Sequence, residues 1–244
     1  MHRILFQIGP VTLYSYGFMI AVGFVLSTVL ILGEARKEGL PGESVFDAMI
    51  AVLAGGMIGG RLLFVAINAE YYFRHPVRVL FFNEGGMAIQ GALAGALIGG
   101  LLVCRLKRLP FWRTSDVVAP YAALGQAIGR IGCFFNGCCY GYPYSGPCAV
   151  LFPGDPVPRF PSQLLYSGAL LMLFVVLLAV KREKPFQGFV FISYLVLYGT
   201  LRFSLDFLRG DALMTLDGLT LSQALGLAIT AAGIVLWVVR RSRK

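Results

Sequence analysis

Residues Leu13–Leu32, LYSYGFMIAVGFVLSTVLIL, pass without one charged side chain. A helix of that length crosses the ~30 Å hydrocarbon core of a bilayer, which takes about 20 apolar residues at ~1.5 Å each. Arg3 precedes the stretch, as in a signal peptide. The stretch is nevertheless long enough to span and no A-x-A-like cleavage site closes it, so it reads as a retained helix. Further windows of the same kind follow at Val45–Ala66, Met87–Cys104, Val117–Phe134, Gln163–Val180, Gly188–Leu208 and Leu219–Val239. The pattern predicts an all-α polytopic membrane protein with about seven transmembrane helices.

Composition agrees. Of 244 residues, 57% are hydrophobic and 14% charged, and the mean hydropathy is +0.75. A soluble domain carries about 25% charge, so lipid is the solvent that suits the excess apolar surface. The net charge of +9 does not indicate nucleic acid, because Lys and Arg gather at the ends of apolar segments, where anionic headgroups are the partner. Short connections such as Gly39-Leu40-Pro41-Gly42 and Lys184-Pro185-Phe186 carry turn signals. No linker separates domains, so residues 1–244 read as one integral membrane domain. Its longest connection, Phe135 to Ser162, is rich in Cys, Gly and Pro and reads as an ordered extramembrane or re-entrant segment. The glycine runs Gly55–Gly60 and Gly91–Gly100 suit close helix packing.

With seven spans, Arg36, Lys37, Arg105, Lys107, Arg108, Arg113, Lys181, Arg182, Lys184, Arg240, Arg241, Arg243 and Lys244 fall on one side. Only Arg3, Arg74, Arg78, Arg159 and Arg209 fall on the other. The positive-inside rule makes the first side cytoplasmic, with the N-terminus outside, the C-terminus inside and segment 135–162 on the outer side.

Arg61, Arg130 and Arg202 remain within or at the rim of apolar segments. An arginine at mid-bilayer costs about 2.5–3.5 kcal/mol on an insertion scale, so such residues face cavities and find partners. A lone arginine can also snorkel or close a helix end for structure alone. Beside them in the chain stands Asp206, one turn from Arg202 on the same face, with Arg209 beyond it. One carboxylate does not neutralise three guanidiniums, and a phospholipid phosphate, which arginine grips bidentately, supplies the missing charge. Flanking glycines in Gly129-Arg130-Ile131-Gly132 and Gly59-Gly60-Arg61 admit a ligand. Tyr16, Tyr194 and Tyr198 add neutral donors at interfacial depth. Gln90 can orient a substrate but is a poor proton acceptor.

Four of the five cysteines crowd together, Cys133, Cys138, Cys139 and Cys148, as C-x4-C-C-x8-C. That spacing matches no C-x2-C zinc pattern, and no metal or other cofactor is expected from it. A disulfide from Cys148 to Cys138 or Cys139, two disulfides, and reactive thiols activated by nearby Arg130 all remain open.

Taken in order, these residues resemble the prolipoprotein diacylglyceryl transferase family over nearly the whole chain. The resemblance rests on Gly9-Pro10, Tyr16-Gly17, Gly59-Gly60-Arg61, Gly85-Gly86-Met87 and Gly129-Arg130-Ile131-Gly132. It continues with Asn136, Gly141, Pro161-Ser162-Gln163-Leu164, Tyr166, Tyr198-Gly199, Arg202-Phe203, Asp206, Arg209 and Leu221-Ser222-Gln223. It implies a seven-helix body in the bacterial inner membrane with its site toward the periplasm. The implied reaction moves the diacylglyceryl group of phosphatidylglycerol, or a related anionic phospholipid, onto the lipobox cysteine of a prolipoprotein signal peptide, releasing glycerol 1-phosphate. Arg130 matches the family's lipid-phosphate residue, Arg202 its second essential arginine and Tyr16 its site tyrosine. Arg202, Tyr16 and Gln90 are then the expected catalytic residues. Arg130, Arg61, Asn136, Gly141, Asp206, Arg209 and Tyr198 are the expected substrate contacts.

Two departures stand out. Gln90 replaces the family's His, and Cys133 and Cys138 replace an Asn and a Glu. The phosphate clamp is kept while the base that would activate the acceptor is missing. Three alternatives follow: a paralogue with another acceptor, a lipid carried covalently on Cys133, Cys138 or Cys139, and a lipid-binding or transport protein without chemistry.

Overall fold

The computed structural model describes residues 4–8, 11–81, 85–210, 214–216 and 218–242. Gly9-Pro10 and the flanking charges Arg3, Arg243 and Lys244 lie outside the described residues. Among the described residues, seven helices are long and apolar enough to cross a membrane. In chain order the helices are α1 (Ser15–Lys37), α2 (Gly42–Ile67), the short α3 (Ala69–Arg74), α4 (Ile89–Leu106), α5 (Phe111–Asn136), α6 (Ser162–Arg182), α7 (Phe189–Asp206) and α8 (Leu221–Arg241). A 3-10 turn, Pro76–Leu80, follows α3.

The mostly helical reading holds, and the structure adds two short antiparallel hairpins. Strands β1 (Ile4–Ile8) and β2 (Val11–Tyr14) lead into α1, and β3 (Met214–Leu216) and β4 (Leu219–Thr220) lead into α8. They are too short for period-2 patterning to register. The second has a local signal, since Asp217-Gly218 is a hairpin dipeptide and Gly218 has φ +88°.

Helix α5 begins well before its apolar window because it carries a carboxylate with a structural task. Asp116, 1% exposed, accepts the backbone N–H groups of Gly188 at 2.7 Å and Phe191 at 3.0 Å. It thereby satisfies orphan donors at the start of α7 and sits at the positive end of that helix.

The chain forms two compact units, Met1–Ile31 with Ser115–Lys244, and Leu32–Thr114. In the first, Ala119, Ala123 and Ala127 make a small-residue face on α5. Tyr166, Leu170, Leu173 and Leu177 of α6 and Val190 and Tyr194 of α7 join them in a buried core. Ser27 of α1 donates to the Tyr121 carbonyl at 2.9 Å, and Ser167 of α6 to the Ala127 carbonyl at 2.8 Å, so polar groups facing α5 are satisfied in lipid.

In the second unit α2 and α4 meet through glycines. A Cβ at Gly95 would run into the carbonyl of Gly55, and one at Gly59 into that of Gly91. Association without a hydrophobic drive depends on such contact. Gly95→Val is therefore expected to destabilise this unit by about 2–3 kcal/mol through overpacking. Thermal unfolding in detergent checks this; an unchanged midpoint would contradict it.

Candidate functional site

Within the first unit, helix direction collects the polar residues at one end. Tyr16 is in the first turn of α1, Arg130 in the second-last turn of α5, Tyr166 near the start of α6, Arg202 in the last turns of α7 and Ser222 in the first turn of α8. Consecutive spans run in alternate directions, so these positions share the end opposite Lys181 and Arg182 of α6 and Arg240 and Arg241 of α8.

Arg130 is half-buried, and its Cζ lies 4.1 Å from the centroid of the Tyr166 ring. This cation–π contact holds the guanidinium plane without consuming an N–H. Among the described residues no carboxylate, carbonyl or hydroxyl accepts a hydrogen bond from Arg130.

Arg202 engages neutral partners. Its Nη1 donates to the Tyr198 hydroxyl at 3.4 Å and its Nη2 to Ser222 Oγ at 3.0 Å. Tyr198 stacks on Tyr194 with ring centroids 5.3 Å apart, and Gln126 donates to the Tyr194 hydroxyl at 2.9 Å. Asp206, expected beside Arg202, is 3% exposed and is held instead by the Thr220 hydroxyl and by Arg209, 3.4 Å away. Thr220 in turn caps α8 in a capping box with Gln223. The carboxylate thus makes its hydrogen bonds and ion pair with Thr220 and Arg209 and acts on Arg202 only through its charge.

Tyr166 is 3% exposed, and both Arg130 and Arg202 act on it electrostatically. Its hydroxyl is directed at Arg202, while Gln126 Oε1 and Gln163 Oε1 are buried without a hydrogen-bond partner among the described residues. Native interiors pair such groups, so the two buried amide oxygens mark α5 and α6 as able to meet a polar ligand. Tyr166, Ser222 and Gln126 were not singled out as site residues from sequence. The available signal was the run of polar side chains Ser162, Gln163, Tyr166 and Ser167 within one apolar helix.

The remaining expected site residues divide. Arg61 belongs to the second unit and is 2% exposed. All five of its N–H donors reach backbone carbonyls: Nε to Val79 (3.0 Å), Nη1 to Gly85 (2.5 Å) and Gly86 (3.0 Å), Nη2 to Arg78 (2.6 Å) and Phe81 (3.0 Å). A guanidinium has five such donors, so the expected phosphate contact has none left to use. Gln90 is half-buried in the first turn of α4. Gly141 is a buried crossing point rather than an open contact. Its N–H donates to the Phe160 carbonyl at 2.8 Å, it bridges to Arg209, and a Cβ there would strike the carbonyls of Phe160 and Leu208. Asn136 ends α5 with its amide 3.5 Å from Cys138 Sγ.

No disulfide links the cysteines among the described residues. Cys148 is exposed, while the Sγ atoms of Cys133, Cys138 and Cys139 lie within 4.8 Å of one another. Linear spacing concealed this grouping, because left-handed residues at Gly137 (φ +71°) and Cys139 (φ +58°) fold the chain back on the end of α5. Tyr16 lies close enough to this group and to Arg130 for their charges to act on its hydroxyl. Gly132 makes room, since a Cβ there would press on Met19 and the Tyr16 ring.

The segment after α5 is ordered by backbone bonds and aromatic contacts. Val150 and Arg159 exchange hydrogen bonds of 3.0 and 2.9 Å, and Arg159 lies 4.7 Å over the Tyr140 ring. The Arg159 guanidinium, hydrogen-bonded to Asp155, holds that carboxyl below the usual range, helped by the Val157 N–H. A depressed pKa contributes order that is present above the unfolded value and lost as pH falls through the folded one. Amide exchange at Val150 and Arg159 is thus expected to quicken on acidification below about pH 3.9. Asp155→Asn should remove that step, and a step persisting in the variant would refute the assignment.

A family model described as prolipoprotein diacylglyceryl transferase matches residues 3–239. The phosphatidylglycerol–prolipoprotein diacylglyceryl transferase of Clostridium tetani is 33% identical over 249 residues, covering 100% of both chains. That of Geobacter sulfurreducens is 34% identical, covering 99% of this chain and 96% of its own. That of Halalkalibacterium halodurans is 32% identical, covering 100% and 88%. With cationic and polar side chains gathered at one end of its membrane-spanning helices and similarity along its whole length, this chain belongs to the prolipoprotein diacylglyceryl transferase family.

Proposed function

We propose that the protein transfers the diacylglyceryl group of phosphatidylglycerol to the lipobox cysteine of a prolipoprotein, releasing glycerol 1-phosphate. The observation that carries this reading is Arg130, a membrane-embedded guanidinium with no hydrogen-bond acceptor among the described residues. Placed beside Arg202, it offers a fixed cationic clamp for the phosphate that departs. Arg130 grips the headgroup. Arg202, aligned by Tyr198 and Ser222, meets charge developing on the leaving oxygen. Tyr16, 40% exposed, borders the clamp where the acceptor sulfur must approach. Arg61 keeps its own unit's backbone in place, and Asp206 and Arg209 secure the α7–α8 corner.

The basic last turns of α1, α6 and α8 support a cytoplasmic C-terminus in a bacterial inner membrane. The clamp, at the opposite helix ends, then faces the periplasm, where exported signal peptides emerge.

The test is purified protein in detergent micelles containing phosphatidylglycerol, incubated with a lipobox peptide. A thioether-linked diacylglyceryl adduct in the peptide's mass and stoichiometric glycerol phosphate are the expected products. Absence of both would exclude the lipoprotein reaction.

A further inference from the structure

The clamp accounts for the departing phosphate but leaves acceptor activation without a base, since Gln90 is a neutral amide. The three-thiol group beside Tyr16 is the unused chemistry of the site. The sulfurs of Cys133, Cys138 and Cys139 all lie within 4.8 Å of one another. Four sulfurs around a zinc ion at about 2.3 Å stand ~3.8 Å apart, a spacing that small side-chain rotations reach. The backbone that presents them is braced. Gln163, 1% exposed, donates to the Cys138 carbonyl at 2.7 Å, and Ser162, 5% exposed, donates to the Cys139 carbonyl at 2.8 Å. Such outer hydrogen bonds fix ligands in metal centres. Three protein sulfurs leave the fourth tetrahedral position open, as in catalytic rather than structural sites.

We infer that Cys133, Cys138 and Cys139 hold a thiophilic d10 cation, zinc(II) in the first instance, whose open position takes the acceptor thiol. This rests on the transfer reaction proposed above. Coordination deprotonates a thiol outright, and its proton passes to solvent. The sulfur then attacks the diacylglyceryl carbon bonded to the phosphate oxygen. One S–C bond forms, one C–O bond breaks, and the electron pair leaves on the phosphate held by Arg130. Thiol and phosphatidylglycerol become thioether, glycerol 1-phosphate and one proton, with nothing oxidised or reduced. A side-chain base is then unnecessary, which explains why the chain manages with Gln90.

The test uses the full-length protein in detergent, reduced and chelator-treated without oxygen, then loaded with zinc(II) or with cobalt(II) as an optical probe. Expected are one ion per chain, protection of three thiols from alkylation by zinc, and thiolate-to-cobalt absorption. That absorption should grow on adding a lipobox cysteine peptide but not its serine analogue. Cys133→Ser, Cys138→Ser and Cys139→Ser should each weaken binding by at least about tenfold, and Cys148→Ser should leave it unchanged. Equal ion uptake by the triple-serine variant, an adventitious ion only, would overturn the inference, as would a cobalt spectrum blind to the peptide. Transfer at full rate by metal-free protein would overturn the ion's role and leave the transfer reading standing. A cobalt–peptide response without transfer in any metal state would sink the transfer reading and support the ion and its thiol ligand.

Discussion

Replacing Arg130 by alanine is expected to lower kcat/KM for phosphatidylglycerol by about 10²–10³-fold, the usual effect of removing one preorganised donor from developing charge. The loss should fall mainly on kcat, because negative charge grows on the phosphate as the carbon–oxygen bond breaks. Arg130→Lys is expected to lie between, keeping the charge and losing the bidentate fork. The fold should survive. The protein contact given up is the stacking over Tyr166, and a cation–π contact is worth about 0.5–2 kcal/mol. Circular dichroism and a thermal midpoint in detergent, measured beside the transfer rate, separate the two effects. Turnover at the normal rate in the alanine variant would remove Arg130 from the mechanism.

What the sequence could announce was set by how local the signal is. Span positions were legible because hydropathy over about 20 residues is a local property, and the structure moves the ends by only a few residues except at the end of α1 and, furthest, at the start of α5. There Asp116 and Arg113 look like loop charges, and nothing nearby in the chain shows that Asp116 caps a helix that starts more than seventy residues later. Arg130 and Arg202 were legible as costly charges in lipid, but so was Arg61, and cost alone does not identify the acceptor. The carbonyls that satisfy Arg61 come from a 3-10 turn, from Phe81 just after it, and from Gly85 and Gly86, both at φ +79°, a shape that hydropathy does not encode. Tyr166 was masked by the frequency of tyrosine near membrane surfaces. The cysteine cluster was masked because its spacing becomes meaningful only once Gly137 and Cys139 turn left-handed.

Arg61→Ala is expected to be the most destabilising single change in the second unit. It removes a buried charge whose five N–H groups satisfy the carbonyls of Arg78, Val79, Phe81, Gly85 and Gly86. Each carbonyl left unpaired costs about 1–3 kcal/mol, though water recovers part of this. A net loss of about 3–5 kcal/mol, typical of breaking a buried charge network, is enough to leave little folded protein at marginal stability. Arg61→Lys should rescue only partly, since an ammonium has three donors and no planar fork. The readouts are yield, thermal midpoint, and proteolytic cleavage between α3 and α4, which should become rapid. The fraction that remains folded should transfer lipid at the normal rate per molecule, unlike the Arg130 variant. A stable Arg61→Ala protein with a raised KM for phosphatidylglycerol would instead return this arginine to the headgroup, and the division of labour between the two arginines would fail.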